Sequence, residues 1–115
     1  MMDYRPDKWV VIKITNKETA EVHYRVFATW YGGYCGSDSW KMNSGIVSVV
    51  KRGGFFEFSG ESGSVYFCHE NCWGTSGYGQ SILDYYTNNT EQAMIEVLPE
   101  DIDLLSIKYQ WSCTK

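Results

Sequence analysis

Two β-branched runs joined by a short polar turn limit what this chain can fold into more than any other feature of it. Lys8 to Thr15 reads Lys-Trp-Val-Val-Ile-Lys-Ile-Thr, and the turn-like Asn16-Lys17-Glu18-Thr19 follows. Glu21 to Trp30 then alternates. Successive side chains of a strand point to opposite faces, which puts Val22, Tyr24, Val26, Ala28 and Trp30 on one side and His23, Arg25, Phe27 and Thr29 on the other. The two runs predict an antiparallel hairpin.

The middle of the chain carries the unusual backbone. All eleven glycines fall between positions 32 and 79. Among them, Ile46 to Val50, Phe55 to Phe58 and Ser64 to Cys68 read as short strands, joined by Lys51-Arg52-Gly53-Gly54 and by Ser59-Gly60-Glu61-Ser62-Gly63. The period then changes: Tyr78, Ile82, Tyr85 and Tyr86 have the spacing of one helical face, which predicts a helix over about Gly77 to Thr87. Asn88-Asn89-Thr90 matches a glycosylation sequon but reads as the polar turn that ends this helix. Ala93 to Leu98 predicts a strand stopped at Pro99, and the alternation of Leu105, Ile107, Tyr109 and Trp111 predicts a last one. The expected fold is α+β and mainly β: a twisted antiparallel sheet of about six short strands with one short helix packed on it. Residues 1–115 are expected to form a single domain, since this length buries a core without metal or disulfide staples.

Charge and hydropathy exclude several functions. A net charge of −4 is the wrong sign for a generic nucleic-acid binder and too weak for a DNA mimic, so duplex binding is not expected. No apolar run approaches the ~20 residues that span a bilayer. Met1 to Lys8 lacks an apolar leader segment, so a soluble, cytoplasmic protein is expected, without membrane association.

Candidate chemistry is sparse. Cys68 and Cys72 form one bracket of a zinc site, but Cys35 and Cys113 are isolated and do not supply a second, and reduced cysteines are the expectation. Cys35, His69 and Asp38 are the only combination that suggests nucleophilic catalysis, and nothing in their spacing brings them together. Gly60-Glu61-Ser62-Gly63-Ser64 misses the nucleophile-elbow pattern by its last residue and lies between strands, where it reads as a hairpin turn. No motif calls for a metal or a cofactor, and the chain is expected to be non-catalytic, with a small hydrolase using Cys35, His69 or Cys72 as a third alternative behind the two binding readings below.

Binding has better support. Three Ser/Gly-rich loops, residues 36–45, 59–64 and 74–79, each adjoin aromatic side chains. Gathered at one end of the sheet, they would offer backbone and hydroxyl donors for phosphate and rings for a base. On this reading Trp40, Trp73 and Tyr78 stack, Lys41 supplies charge, and Ser44, Gly45, Gly74, Ser76 and Gly77 contact phosphate, the last group at a helix N-terminus. The ligand expected is small and nucleotide-like. The same aromatic loops could instead bind a host protein, because Tyr, Trp, Ser and Gly also make adaptable protein interfaces. A surface so rich in Tyr and Trp is compatible with a homodimer.

The phrases Phe27-Ala28-Thr29-Trp30-Tyr31-Gly32-Gly33-Tyr34, Asp38-Ser39-Trp40-Lys41-Met42-Asn43-Ser44-Gly45-Ile46 and Ser62-Gly63-Ser64-Val65-Tyr66 resemble small uncharacterised accessory proteins of tailed bacteriophages, over roughly Lys8 to Leu98. The resemblance implies action in the cytosol of an infected bacterium, as a counter-defence protein that blocks a host enzyme or a host defence. It transfers no catalytic residue.

Overall fold

The hairpin forms along the alternation that encodes it. In the computed structural model, which describes residues 3–32, 39–107 and 109, strand β2 (Lys8–Asn16) pairs antiparallel with β3 (Val22–Trp30), from Lys8 opposite Thr29 to Thr15 opposite Val22. Asn16 builds the turn between them: its Oδ1 accepts from the amides of Glu18 and Thr19 at 2.8 and 3.1 Å.

Around this hairpin the described residues make two four-stranded sheets, not the one sheet expected. The antiparallel sheet has the order β4-β3-β2-β8, with β4 at Ser39–Met42 and β8 at Ala93–Val97. The second sheet has the order β1-β7-β6-β5, with β1 at Asp3–Tyr4, β5 at Ile46–Arg52, β6 at Phe55–Gly60 and β7 at Val65–His69. It is mixed, because β1 runs parallel to β7.

The reason for two sheets lies in β3, which is apolar on both faces. Val26 and Ala28 point one way, into a core with Trp9 and Val11 of β2 and with Phe58, Tyr66 and Cys68 of the second sheet. Phe27 points the other way, joining Val10 and Ile12 under Leu83 of helix α1 (Gly77–Asn89). A lone sheet with one helix would leave the first of these faces in water, at ~25 cal/mol for each Å² of apolar surface left uncovered. The layers are therefore sheet, sheet and helix. Trp9 is the largest fully buried side chain, with ring centroids 5.7 Å from Phe56 and 5.6 Å from Phe58.

The helix turns inward only part of the row that its aromatic spacing suggested. Gly79 and Leu83 are buried and Ile82 packs on the same core, whereas Tyr78 and Tyr85 are exposed. Gly79 decides this. A Cβ there would stand 2.5 Å from Thr29 Cγ2, so only glycine lets the helix lie this close on β3.

The last predicted strand is absent over its described residues. Leu104–Ser106 form a single 3-10 turn instead, because Asp103 accepts from the Leu105 amide at 3.1 Å and from the Ser106 hydroxyl at 2.6 Å. Tyr109 is buried, its hydroxyl donating to the Leu104 carbonyl, while Trp111 lies outside the described residues. Among the described residues no helix is long and apolar enough to cross a membrane.

Candidate functional site

Where β4 ends, one side chain takes over its hydrogen bonding. Asn43 donates its amide N–H to the Val26 carbonyl at 3.0 Å, and its side-chain Oδ1 accepts from the Val26 amide at 2.8 Å, so the ladder to β3 is completed by a carboxamide. The chain then turns at Gly45, whose φ of 139° is open to glycine and strained for other residues.

This turn locks onto the hairpin between β6 and β7. The Glu61 amide donates to the Gly45 carbonyl at 3.0 Å, and the Ser62 amide donates to Ser44 Oγ at 3.0 Å. Ser44 Oγ in turn donates to Ser62 Oγ at 3.2 Å, and Ser62 and Ser64 hydroxyls lie 3.4 Å apart. Two of the Ser/Gly loops therefore meet, one joining the two sheets and one within the second, and a cleft of about 270 Å³ opens beside them. Lys41, Asn43, Ser44, Ser62 and Ser64 form its polar side.

Aromatic rings form the other wall. Tyr4 arrives from β1 and packs on Tyr66 with ring centroids 4.8 Å apart, and Lys41 Nζ stands 5.3 Å from the Tyr4 centroid. That separation is within range of a cation–π attraction, which holds the lysine at the mouth of the cleft. Burial, and then the neighbouring Tyr4, push the Tyr66 phenol well above its ordinary pKa, so it stays a neutral hydroxyl at any physiological pH.

One of the residues lining the cleft holds an unsatisfied donor. Asn43 is 2% exposed, and its Nδ2 has no hydrogen-bond partner. Its orientation is fixed, since the Oδ1 is committed to Val26. A buried amide group left without a partner costs ~1–3 kcal/mol. Gly60 leaves room beside it: a Cβ there would come within 3.2 Å of Nδ2 and 3.1 Å of Ser44 Oγ. Among the described residues the lining carries one cation and several neutral donors, and no carboxylate belongs to it.

The residues singled out from the sequence are divided among three places. Lys41 and Ser44 line the cleft, and Gly45 forms the turn behind it. Trp40 is on the opposite face of β4, stacked on Phe27 at 5.6 Å and meeting Tyr86 at 5.8 Å. The third loop is elsewhere. Trp73 packs on Trp9 at 4.9 Å and Gly74 donates its amide to the Trp9 carbonyl at 2.9 Å, extending the edge of β2. Ser76 is buried as the helix cap, its hydroxyl accepting from the Gly79 amide at 3.0 Å, with Gly77 and the exposed Tyr78 in the first turn. Residues 36–38 of the first loop lie outside the described residues. Sequence reasoning left Tyr4, Asn43 and Tyr66 out of the site. The Ser/Gly patterns of 36–45 and 59–64 pointed toward it, and nothing marks Tyr4 in the sequence.

The groups weighed for catalysis have other engagements. His69 Nδ1 accepts from the Asn71 amide at 3.1 Å, and its ring meets Phe55 edge-on at 4.9 Å. His23 Nε2 accepts from Arg25 Nε at 3.1 Å. In each neutral imidazole that contact uses the basic lone pair. Burial, and then Cys72, push the Cys68 thiol far above its ordinary pKa, which makes it a poor nucleophile. Cys35, Asp38 and Cys113 lie outside the described residues, and among those described no group of three or more His, Cys, Asp or Glu side chains could hold a metal ion.

No protein-family model matches the chain, and no curated protein or solved structure matches it either.

Proposed function

We propose that the protein is a non-catalytic binding module that captures a small, phosphate-bearing, nucleotide-like ligand in the cleft between the two sheets. The observation that carries this reading is a cleft whose lining, among the described residues, combines Lys41, three serines and no carboxylate with Asn43, whose Nδ2 is buried and without a partner. A donor held without a partner favours a ligand that brings an acceptor, and a phosphate oxygen meets the nearby ammonium as well. In the phage setting that the sequence resemblance implies, the ligand would be a signal of host defence, removed by sequestration.

Titration calorimetry with inorganic pyrophosphate and adenosine 5′-diphosphate tests this, on the wild type and on Lys41→Ala and Ser44→Ala. Binding that weakens about tenfold or more in Lys41→Ala, equivalent to ~1.4 kcal/mol, supports it. The reading is abandoned if the wild type binds neither compound, or if both variants bind as the wild type does.

A second reading has its own observation. Strand β5 is an edge of the second sheet among the described residues, and Val47 and Val50 on it are exposed, at 41% and 44%. An exposed strand edge pairs readily with another chain, so inhibition of a host protein by strand addition is the alternative. Val47→Lys with Val50→Lys abolishes activity in infected cells under that reading and leaves it intact under the first.

A further inference from the structure

Lys41 belongs to two cavities. Besides the cleft between the sheets, it lines a groove of about 500 Å³ on the other face of β4, together with Arg25, Trp40, Met42, Tyr86 and Ile95. The two are neighbours because β4 is an edge strand of its sheet among the described residues, so a ligand can pass around it without crossing hydrogen-bonded backbone.

The groove has a chemistry of its own. Trp40 is backed by Phe27, the rings stacked within 20° of parallel, and Trp40 and Tyr86 meet at 69°, making an aromatic corner. Such a corner suits a flat ring that lies on one side chain and turns its edge to the other. Among the described residues Arg25 and Lys41 are the charged groups of the lining, both cationic, and no carboxylate joins them. Arg25 is held in place from two sides, its Nε on His23 and its Nη1 3.4 Å from the Asn43 carbonyl.

We propose that this groove is the base subsite for the same ligand, so that a nucleoside diphosphate straddles the β4 edge. The base occupies the Trp40–Tyr86 corner, Lys41 neutralises the diphosphate at the edge, and the terminal phosphate reaches Asn43 and the serines. This inference rests on the binding reading given above. It also specifies the ligand further: a lone phosphate fills one end of the site, and a nucleoside without phosphate fills the other.

The test compares inorganic pyrophosphate with adenosine 5′-diphosphate by titration calorimetry on the wild type, Tyr86→Ala and Tyr86→Phe. Tyr86 lines the groove and not the serine cleft, and base stacking on an aromatic side chain changes affinity by a factor on the order of ten or more. The expected result is that the diphosphate nucleotide binds the wild type more tightly than pyrophosphate does. Tyr86→Ala then loses about tenfold for the nucleotide and nothing for pyrophosphate, and Tyr86→Phe restores the loss. Unchanged pyrophosphate binding in Tyr86→Ala shows at the same time that the variant is folded. Pyrophosphate binding with no gain from the nucleoside, or a Tyr86→Ala loss equal for both compounds, overturns the base subsite and leaves the phosphate cleft standing. Failure of the wild type to bind either compound overturns both.

Discussion

The indole N–H of Trp9 donates to the backbone carbonyl of His69 at 2.7 Å, so the largest side chain of the core is also a hydrogen bond from one sheet to the other. Phenylalanine at this position keeps most of the apolar area and removes the donor. Trp9→Phe should destabilise by roughly 1–3 kcal/mol, from a lost hydrogen bond and a smaller ring, while the His69 carbonyl keeps the Cys72 amide. The check is a urea titration in which the midpoint falls while the slope stays constant.

Gly79 sets two effects of opposite sign against each other. Alanine gains ~0.5–1 kcal/mol over glycine inside a helix. Its Cβ, however, would lie 2.5 Å from Cγ2 of the buried Thr29, and forcing that much atom into a packed core costs ~1–3 kcal/mol. The clash should win, so Gly79→Ala lowers the thermal midpoint. Thr29→Ser removes the offending methyl group, and the double variant should recover most of the loss.

Gly60 is the complementary case, where stability and binding part company. An added Cβ comes within 3.1 Å of Ser44 Oγ and 3.2 Å of Asn43 Nδ2, and Gly60 does not have a positive φ. Gly60→Ala should change unfolding free energy by less than ~1.5 kcal/mol, because the serine can give by a few tenths of an ångström. Nucleotide affinity should nonetheless fall about tenfold, since the methyl group occupies the space beside the donor. Calorimetry and a denaturant titration on the same sample separate the two effects.

His23 makes stability depend on pH. Burial, and then the Arg25 charge, hold its pKa below the usual 6.5, against the opposing influence of Glu61 and Glu21. A histidine whose folded pKa is depressed binds its proton more readily when unfolded. Its contribution is therefore present above pH 6.5 and is lost as the pH falls through the folded value. Protonation would also set two donors against each other, His23 Nε2 and Arg25 Nε. The urea midpoint should drop between pH 7.5 and 5.5 in the wild type, and His23→Gln, whose carbonyl still accepts from Arg25, should flatten that slope.

How much of this was legible depended on range along the chain. The alternation of β3 gave both of its faces correctly, because period two is a local property of extended backbone. The number of sheets was not local: Tyr4 finds Tyr66, and nothing in either neighbourhood announces it. Strand β4, Ser-Trp-Lys-Met, is too short and polar to stand out and exists because Asn43 finishes its ladder. Leu105 and Ile107 alternate as a strand would, but Asp103 captures the backbone first. The site divided in the same manner. The pairing of the 43–45 and 59–64 loops was foreshadowed by their Ser/Gly content. The third loop shares that content for a different reason, since Gly79 is there for close packing and Ser76 for a helix cap.

The two-residue β1 has a kinetic side. Pairing Asp3 and Tyr4 with Val65 and Tyr66 closes a loop of about sixty residues for the sake of a very short ladder, so its entropy is recovered only after β6 and β7 already exist. Tyr4 therefore docks late in folding and opens early in local fluctuations, and the cleft loses its aromatic wall before the central hairpin loosens. Amide exchange at Tyr4 should be governed by this small opening, whereas exchange at Val11 and Val26 should report the unfolding of the whole molecule.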